Sequence, residues 1–329
     1  RRDLFKSKKY IPFSVVQTMR GCPYPCEFCS VSTANGKTFR FRPVDHVISE
    51  LCSLDKLIMF ADDNVMIHRA YSAELFRRMA PLQKEWIGQC SLATVRKLEN
   101  VELMAKSGCK ALFIGFESID DDTVRHTGKR QNRPRDYREI VGMLHDHGIS
   151  CWGSFVFGFD TDGPSVFDRT VEEAIAMKLT MASFAILTPY PGTPLYRRLA
   201  AEGRLTDPTW WLREDHDAGS PYYLPKQMSR ETLREGWTRA WTEFYRLSSI
   251  WKRYTLRPAS SWIQALGYWP LNAMQNRLAH HKIAGGAQRH RTERSESTGP
   301  NVGAPLQTPT PVGHAGLRGG AGLRLPLLR

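Results

Sequence analysis

The sequence predicts an α/β fold in which six β/α units form a curved, incomplete barrel. Short, continuous apolar runs alternate with amphipathic segments of helical periodicity over residues 13–202. Strands that are apolar on both faces are typical of a parallel sheet covered by helices. Polar or glycine-rich turns follow these runs, and the carboxyl ends of strands are where α/β folds place their functional residues. We therefore take residues 13–202 as the core domain.

Each predicted element follows from its local pattern. Pro43 begins one helix, and Gly108 and Gly148 end two others. The predicted strands are Phe13–Thr18, Lys56–Ala61, Trp86–Ala93, Ala111–Phe116, Ile149–Gly158 and Thr180–Leu187. The predicted helices of the core are Val44–Leu54, Ala70–Leu82, Leu98–Ser107, Tyr137–His147 and Ser165–Met177.

Three further segments flank the core. Residues 1–12 form a basic entry segment, and residues 285–329, dominated by glycine, proline, serine and arginine, are predicted to be disordered. Residues 203–284 are predicted to be a helical extension, with one long helix over Met228–Tyr254 and another over Trp262–Ile283. Aromatic residues at helical spacing in the first helix are typical of packed core. They are Trp237, Trp241, Phe244, Tyr245 and Trp251.

The composition is that of a globular protein, with 41% hydrophobic residues in a chain of 329. The formal net charge of +13 would suit a nucleic acid or an anionic membrane as partner. Much of this charge lies towards the two ends of the chain, so we do not expect nucleic-acid binding. No apolar run approaches the ~20 residues that span a bilayer, and no signal peptide opens the chain. Seven cysteines without a disulfide pattern indicate a reducing, cytoplasmic location.

Three of these cysteines stand close together. Cys22, Cys26 and Cys29 have C-x3-C-x2-C spacing in a loop rich in glycine and proline, directly after the first predicted strand. A structural zinc site would need a fourth ligand nearby, and a ferredoxin-type run would carry a fourth cysteine. Neither follows within the loop, so three thiolates on a cubane iron–sulfur cluster would leave one iron open to another molecule. A zinc loop and three unrelated thiols are the alternative interpretations.

The spacing, together with Gly21 before it and Phe28 before its last cysteine, resembles the radical S-adenosylmethionine (radical SAM) superfamily. In that family three cysteines hold a 4Fe–4S cluster whose open iron is chelated by SAM, and reduction splits SAM into methionine and a 5′-deoxyadenosyl radical. The resemblance implies a partial (β/α)6 barrel with Cys22, Cys26 and Cys29 as cluster ligands. It also implies an electron donor such as flavodoxin or ferredoxin.

The resemblance further implies a place for each part of SAM. Asp62 and Asp63, at the end of the second predicted strand, stand where family members contact the SAM amino group. The sequence does not choose between them, and capping of the next helix is their alternative role. Glu117 stands at the position that binds the ribose hydroxyls, and its alternative is a surface acid.

Four more residues enter through the same resemblance. Ser91 and Thr94 follow the third predicted strand and are expected near the SAM carboxylate or ribose. Gly153 and Val156 belong to the fifth-strand element against which adenine packs in the family. The sequence singles out no catalytic residue beyond these binding positions.

Several local strings resemble one branch of the superfamily, the cobalamin-binding radical SAM proteins. They are Gln17–Cys22, Arg40–Pro43, Phe60–Asn64, Gly115–Ser118 and Thr188–Tyr196. This branch includes methylases of unactivated carbon, hopanoid methylases and anaerobic porphyrin ring cyclases. Its members carry an N-terminal cobalamin domain often marked by D-x-H-x-x-G, and the residues before Phe13 contain neither that motif nor room for the domain. We therefore expect either that the domain has been cut away or that the protein works without bound cobalamin.

The expected function is therefore radical cleavage of SAM, with cobalamin-linked methylation of an unactivated carbon on a small or lipid-like substrate. The alternatives are radical oxidation or ring formation without methyl transfer, modification of RNA, and a non-catalytic iron–sulfur or zinc module. The cysteines outside the loop are interpreted as structural thiols. His145 and His147 lie in the last turn of a predicted helix, where the helix dipole favours a protonated imidazole.

Overall fold

The computed structural model of the chain describes residues 13–257 and 263–279, except residues 130, 215 and 218. The predicted entry segment and disordered tail, and the end of the second helix of the extension, lie outside the described residues. The strands are β1 (Ser14–Val16), β2 (Met19–Arg20), β3 (Arg40–Phe41), β4 (Leu57–Phe60), β5 (Glu85–Cys90), β6 (Cys109–Glu117), β7 (Ser150–Phe157) and β8 (Met181–Ile186).

Helices follow most of these strands, as the amphipathic segments predict. They are α1 (Val31–Ala34), α2 (Val44–Cys52), α3 (Arg69–Met79), α4 (Leu92–Val95), α5 (Leu98–Lys106), α6 (Asp121–His126), α7 (Tyr137–Asp146), α8 (Val166–Ala176), α9 (Pro194–Ala201), α10 (Arg230–Phe244) and α11 (Leu247–Arg253). A π-helical turn, Ile263–Gly267, leads into a last helix over residues 268–279.

Six strands form one parallel sheet in the order β1-β4-β5-β6-β7-β8. No ladder joins β8 to β1 among the described residues, so the sheet remains open. The predicted α/β fold, a partial six-stranded barrel with a helical extension, is confirmed. None of the described helices is both long and apolar enough to cross a membrane.

Alternation along β6 separates the core from the inner face of the barrel. Leu112, Ile114 and Phe116 are fully buried, and Phe116 packs against Tyr137 of α7. Phe113 points to the other face, where its ring contacts Trp152 of β7. Because side chains alternate along a strand, Gly115 and Glu117 share the inner face with Phe113.

Two strands end two or more residues before their predicted ends. β1 ends at Val16 rather than Thr18, because the backbone N–H groups of Thr18 and Met19 donate to the carboxylate of Asp62. β5 ends at Cys90 because the next residue, Ser91, is the N-cap of the short helix α4. The two-residue strands β2 and β3 pair as an antiparallel hairpin that the sequence did not predict.

The extension packs on the open edge of β8. The indole N–H groups of Trp237 and Trp241 donate to the Phe184 carbonyl at 2.8 and 2.9 Å. The Tyr245 hydroxyl donates to the Ala182 carbonyl at 2.7 Å and accepts the Ala182 N–H at 3.1 Å. These side chains satisfy backbone groups that another strand would otherwise take.

The single long helix predicted over Met228–Tyr254 is wrong, because the helix breaks after Phe244 into α10 and α11. The turn at this break lets Tyr245 reach β8. The predicted core role of the aromatic residues is confirmed for α10 and for Tyr245. It is wrong for Trp251, which is 67% exposed on α11.

Candidate active site

One cavity lies at the carboxyl edge of the sheet, and parts of the chain that are distant in sequence line it. The cysteine loop contributes Cys22, Cys26 and Cys29, and the turn after β4 contributes Asp63 and Asn64. The end of β5 contributes Gln89 and Cys90, and Ser91 follows directly. β6 contributes Phe113, Gly115 and Glu117, and the segment after α6 contributes Lys129. The three motif thiols and several predicted SAM contacts therefore meet in one place.

The cysteine loop is shaped by tight backbone contacts. Gly21 has φ +99°, and a Cβ there would lie 2.3 Å from the Thr38 carbonyl oxygen, so only glycine fits. The Cys29 N–H donates to the Cys26 carbonyl at 3.2 Å, which folds the second half of the motif into a turn. Cys26 is buried, whereas Cys22 and Cys29 are partly exposed towards the cavity.

Burial makes the free thiolates unfavourable. Desolvation raises the pKa of Cys26 to about 12 and also raises the pKa of Cys22, while the nearby charge of Lys129 opposes both shifts. Thiolates at these positions therefore need cations beside them, as the irons of a cluster would supply. Among the described residues, no three His, Cys, Asp or Glu side chains converge closely enough for one metal ion.

Glu117 occupies a bulge at the end of β6. The pairing of β6 with β7 shifts register between Gly115 and Glu117, and Glu117 has φ +66°. A left-handed backbone is unfavourable for glutamate, and bulges of this kind re-aim side chains. Asn132 holds the strand end through bonds from its amide to the Gly115 and Phe116 carbonyls at 2.9 and 3.0 Å. Tyr137 adds a bond from its hydroxyl to Phe116 at 3.0 Å.

Lys129 pairs with Glu117 inside the cavity. Its ammonium group contacts the Glu117 carboxylate and lies 3.3 Å from the Gly115 carbonyl. The two side chains are only 13% and 8% exposed. Burial alone would lower the pKa of Lys129, but the Glu117 carboxylate more than offsets this and the pKa is raised. A Cβ on Gly115 would lie 2.3 Å from the Glu117 carboxylate, so glycine provides the space for the pair.

The structure separates the two aspartates that the sequence left open. Asp62 is 1% exposed and accepts hydrogen bonds from the Thr18 N–H at 2.6 Å, the Thr18 hydroxyl at 2.5 Å and the Met19 N–H at 3.1 Å. Its carboxylate joins β1 to β2 and does not line the cavity. Asp63 lines the cavity and accepts one bond, from the Asn35 amide at 3.3 Å. The candidate for the SAM amino group is therefore Asp63.

The other positions predicted to contact SAM differ in whether they line the cavity. Ser91 lines the cavity, and its N–H donates to the Asn64 side chain at 3.2 Å. Thr94 lies behind it, with the two hydroxyl groups 3.2 Å apart. A Cβ on Gly153 would lie 2.7 Å from the Leu179 side chain, so the missing side chain makes room for core packing rather than for a ligand. Val156 lies on the opposite face of β7, and it is not among the residues that line this cavity.

Lys129 is the main residue that the sequence analysis missed. It follows Gly128, which has φ +79° and whose Cβ would lie 3.0 Å from the Pro25 carbonyl oxygen. The end of α6 thus packs against the cysteine loop and carries Lys129 to the cavity. A Gly–Lys pair directly after a helix was the only local signal.

With this geometry in place, the comparisons with known proteins define the class. Residues 16–175 match the sequence model of the radical SAM superfamily. The chain therefore contains a radical SAM domain, and enzymes of this superfamily use a 4Fe–4S cluster and SAM. Residues 193–261 match a second model, described as a domain of unknown function (DUF4070).

The chain is also similar to individual curated proteins. The chain is 32% identical over 279 residues to the bacteriochlorophyllide d C-12(1)-methyltransferase of Chlorobaculum tepidum. This alignment covers 83% of this chain and 59% of the relative. It is 26% identical to the hopanoid C-2 methylase of Rhodopseudomonas palustris, covering 80% of this chain and 50% of the relative. The chain thus spans between half and three fifths of the length of these relatives.

A solved structure shows the same fold. The radical SAM methyltransferase TsrM from Kitasatospora setae, determined with cobalamin and a 4Fe–4S cluster bound, aligns with a TM-score of 0.58 at 16% identity. The alignment covers 84% of this chain and 62% of TsrM. It therefore includes the extension as well as the barrel.

Proposed function

We propose that this chain binds a 4Fe–4S cluster through Cys22, Cys26 and Cys29 and cleaves SAM reductively to a 5′-deoxyadenosyl radical. One observation carries the proposal. The three thiols share a single cavity with an acid at the end of β4, a hydroxyl at the end of β5 and an ion pair at the end of β6. When bound, the cluster would supply one electron and an iron open to the methionine end of SAM.

The remaining residues of the cavity match the polar groups of SAM. Asp63 is a half-buried carboxylate with room to accept from an ammonium group. Ser91 and Lys129 offer a hydroxyl and an ammonium to a carboxylate. Glu117 can accept from the two hydroxyls of a ribose, because a carboxylate has several acceptor positions. The electron would come from a carrier protein such as flavodoxin or ferredoxin in the cytoplasm.

For the reaction that follows, we favour methyl transfer, linked to cobalamin, onto an unactivated carbon of a small or lipid-like substrate. The names of the relatives support this outcome, since one is a methyltransferase of bacteriochlorophyllide d and the other a methylase of hopanoids. The inner face of the sheet also exposes apolar side chains, with Val15 51% and Met59 42% exposed. Ring formation without methyl transfer is the second candidate, supported by 23% identity to the anaerobic magnesium-protoporphyrin IX monomethyl ester cyclase of Cereibacter sphaeroides.

The test of the cluster assignment is anaerobic reconstitution of the protein and of single alanine variants. We expect roughly four irons per chain, a brown chromophore and reductive SAM cleavage. Cys22→Ala, Cys26→Ala and Cys29→Ala should each lose the chromophore and the cleavage. Cys151→Ala removes a buried thiol behind the sheet and should keep both. Normal iron content and cleavage in any motif variant, or one zinc per wild-type chain, would refute the assignment.

A second experiment separates the two outcomes. The reconstituted protein is incubated anaerobically with a one-electron reductant, cobalamin, SAM labelled in its methyl group, and either a polycyclic triterpenoid or a chlorophyll-type tetrapyrrole. Methyl transfer places the label in the product. Ring formation leaves the label in SAM-derived fragments and changes the substrate mass only by hydrogen or oxygen.

A further inference from the structure

A charged network outside the cavity holds the cysteine loop from behind. Glu27 lies between Cys26 and Cys29, and its two carboxylate oxygens accept from Arg198 of α9 at 2.9 and 3.3 Å. The Glu27 carbonyl also accepts the Leu195 N–H, in the first turn of α9, at 3.0 Å. The loop is therefore attached to α9 by one bidentate side-chain contact and one backbone bond.

Arg198 is in turn fixed by a second carboxylate. Its remaining terminal nitrogen donates to Asp160, in the turn after β7, at 2.7 Å. Asp160 also binds Arg204 at 2.7 Å and Lys226 at 3.1 Å. Burial alone would raise the pKa of Asp160, but these three cations hold it at about 2. The network thus stays charged at neutral pH and connects the extension to the loop.

The same turn supports the loop by packing. Phe28, beside Cys29, makes an edge-to-face contact with Phe159 at 5.8 Å between ring centroids. The N–H groups of Gly158 and Phe159 donate to Asp162 at 2.9 and 3.0 Å, which fixes the turn. The turn after β7 therefore places Phe159 against Phe28. It also places Asp160 against Arg198, the residue that binds Glu27.

We infer that Arg198 is a positioning residue that acts through Glu27 to hold the cysteine loop in the conformation that retains the cluster. The segment over residues 193–261, which matches a domain of unknown function, thereby gains a role, because Arg198, Arg204 and Lys226 all belong to it. An isolated surface ion pair contributes little. This contact is bidentate, two thirds or more buried, shared with a second carboxylate and reinforced by a backbone bond. The inference rests on the proposed cluster ligands.

The test compares iron retention in Glu27→Gln, Arg198→Gln and Arg198→Lys with that of the wild type. Reconstituted protein is exposed anaerobically to an iron chelator, and the loss of cluster absorbance is followed. We expect Glu27→Gln and Arg198→Gln to lose iron about fivefold faster, and Arg198→Lys to fall in between because lysine cannot bind two oxygens in a fork. The double glutamine variant should be no worse than either single variant. The matched control is Arg138→Gln, which removes a bidentate arginine contact to Glu173 elsewhere on the surface.

A second readout needs no cluster. Amide exchange in the metal-free protein should accelerate at Leu195 and across residues 22–29 in Arg198→Gln, but not in Arg138→Gln. Wild-type rates of iron loss and amide exchange in both glutamine variants would overturn the inference. Equal acceleration in the control would also overturn it, because the effect would then be a general loss of stability. A wild-type protein that takes up no cluster would instead refute the proposed function, and amide exchange would still decide whether Arg198 orders the loop.

Discussion

Two acids lie at the carboxyl ends of strands of the same sheet, Asp62 shortly after β4 and Glu117 as the last residue of β6, yet their surroundings differ. Asp62 is enclosed by backbone and hydroxyl donors of the β1–β2 junction. Glu117 faces a cavity and is balanced by the buried cation of Lys129. An acid at a strand end is therefore not by itself a ligand site. The strained bulge at Glu117 and the nearby lysine distinguish the proposed ligand position from the structural one.

The largest expected effect is that of Asp62→Ala on folding. The substitution leaves two backbone N–H groups and the Thr18 hydroxyl without their buried acceptor, at a cost of about 2–5 kcal/mol in unfolding free energy. Because the cysteine loop begins two residues after Met19, we also expect poor cluster uptake. Urea unfolding of the metal-free protein measures the loss, and Asp63→Ala is the control. If Asp62→Ala unfolds with the wild-type free energy, Asp62 has no structural role that would distinguish it from Glu117.

For Glu117 we expect that substitutions can change the unfolding free energy and the affinity for SAM independently. Glu117→Gln leaves the buried charge of Lys129 uncompensated, which destabilises the protein by about 3 kcal/mol if the pair behaves as fully buried. The double variant Glu117→Gln/Lys129→Met removes both charges and should recover most of that loss. Its affinity for SAM should stay on the order of tenfold to a hundredfold below wild type, since a charge-assisted bond worth about 1.5–3 kcal/mol is gone.

Urea unfolding and equilibrium SAM binding to the reconstituted proteins measure the two effects separately. Lys129→Met alone provides the control for loss of the cation. Full recovery of SAM affinity together with stability would make Glu117 a second scaffold acid like Asp62.

The comparison also shows what the sequence could predict. Periodicity alone predicted the parallel sheet and most of its helices, because burial imposes that pattern on every strand and helix. The choice between Asp62 and Asp63 was not predictable, since it depends on where the end of β1 passes the end of β4. The position of Lys129 depends on the packing of the end of α6 against the cysteine loop, and the bulge at Glu117 is held by Asn132 and Tyr137. Contacts of this kind join residues distant in sequence and leave no periodic signal.

The third prediction concerns the pH dependence of the unfolding free energy. The contribution of His145 to it must be known before any of that dependence is assigned to the acids. His145 is 5% exposed, and its Nε2 has no hydrogen-bond partner among the described residues. Burial, with a smaller contribution from Arg257, lowers its pKa to about 4, so the helix dipole does not keep it charged as the sequence suggested. The unfolded chain, with a pKa near 6.5, binds more protons than the folded chain between pH 6.5 and 4. Stability is therefore complete above pH 6.5 and falls as the pH drops, by roughly 2 kcal/mol at pH 5.

His145→Leu should abolish this loss between pH 6.5 and 5, as measured by urea unfolding across that range. The slope that remains at lower pH can then be assigned to carboxylates whose pKa is lowered in the folded chain, such as Asp160. An unchanged slope in His145→Leu would show that other groups cause the acid sensitivity, and the carboxylates would have to be titrated one by one.

The smallest expected effect is that of Asp63→Asn. Asp63 is half-buried with one amide partner, so its removal should change the unfolding free energy by less than about 0.5 kcal/mol. Its proposed contact is with the SAM amino group alone, at a partly exposed site. Affinity for SAM should therefore fall only about threefold to tenfold. The ligands distinguish the two acids at the cavity: 5′-deoxyadenosine, which lacks the methionine end, should bind Asp63→Asn normally and the Glu117→Gln/Lys129→Met variant weakly. Equal weakening of both variants towards 5′-deoxyadenosine would place Asp63 beside the nucleoside instead of the amino group.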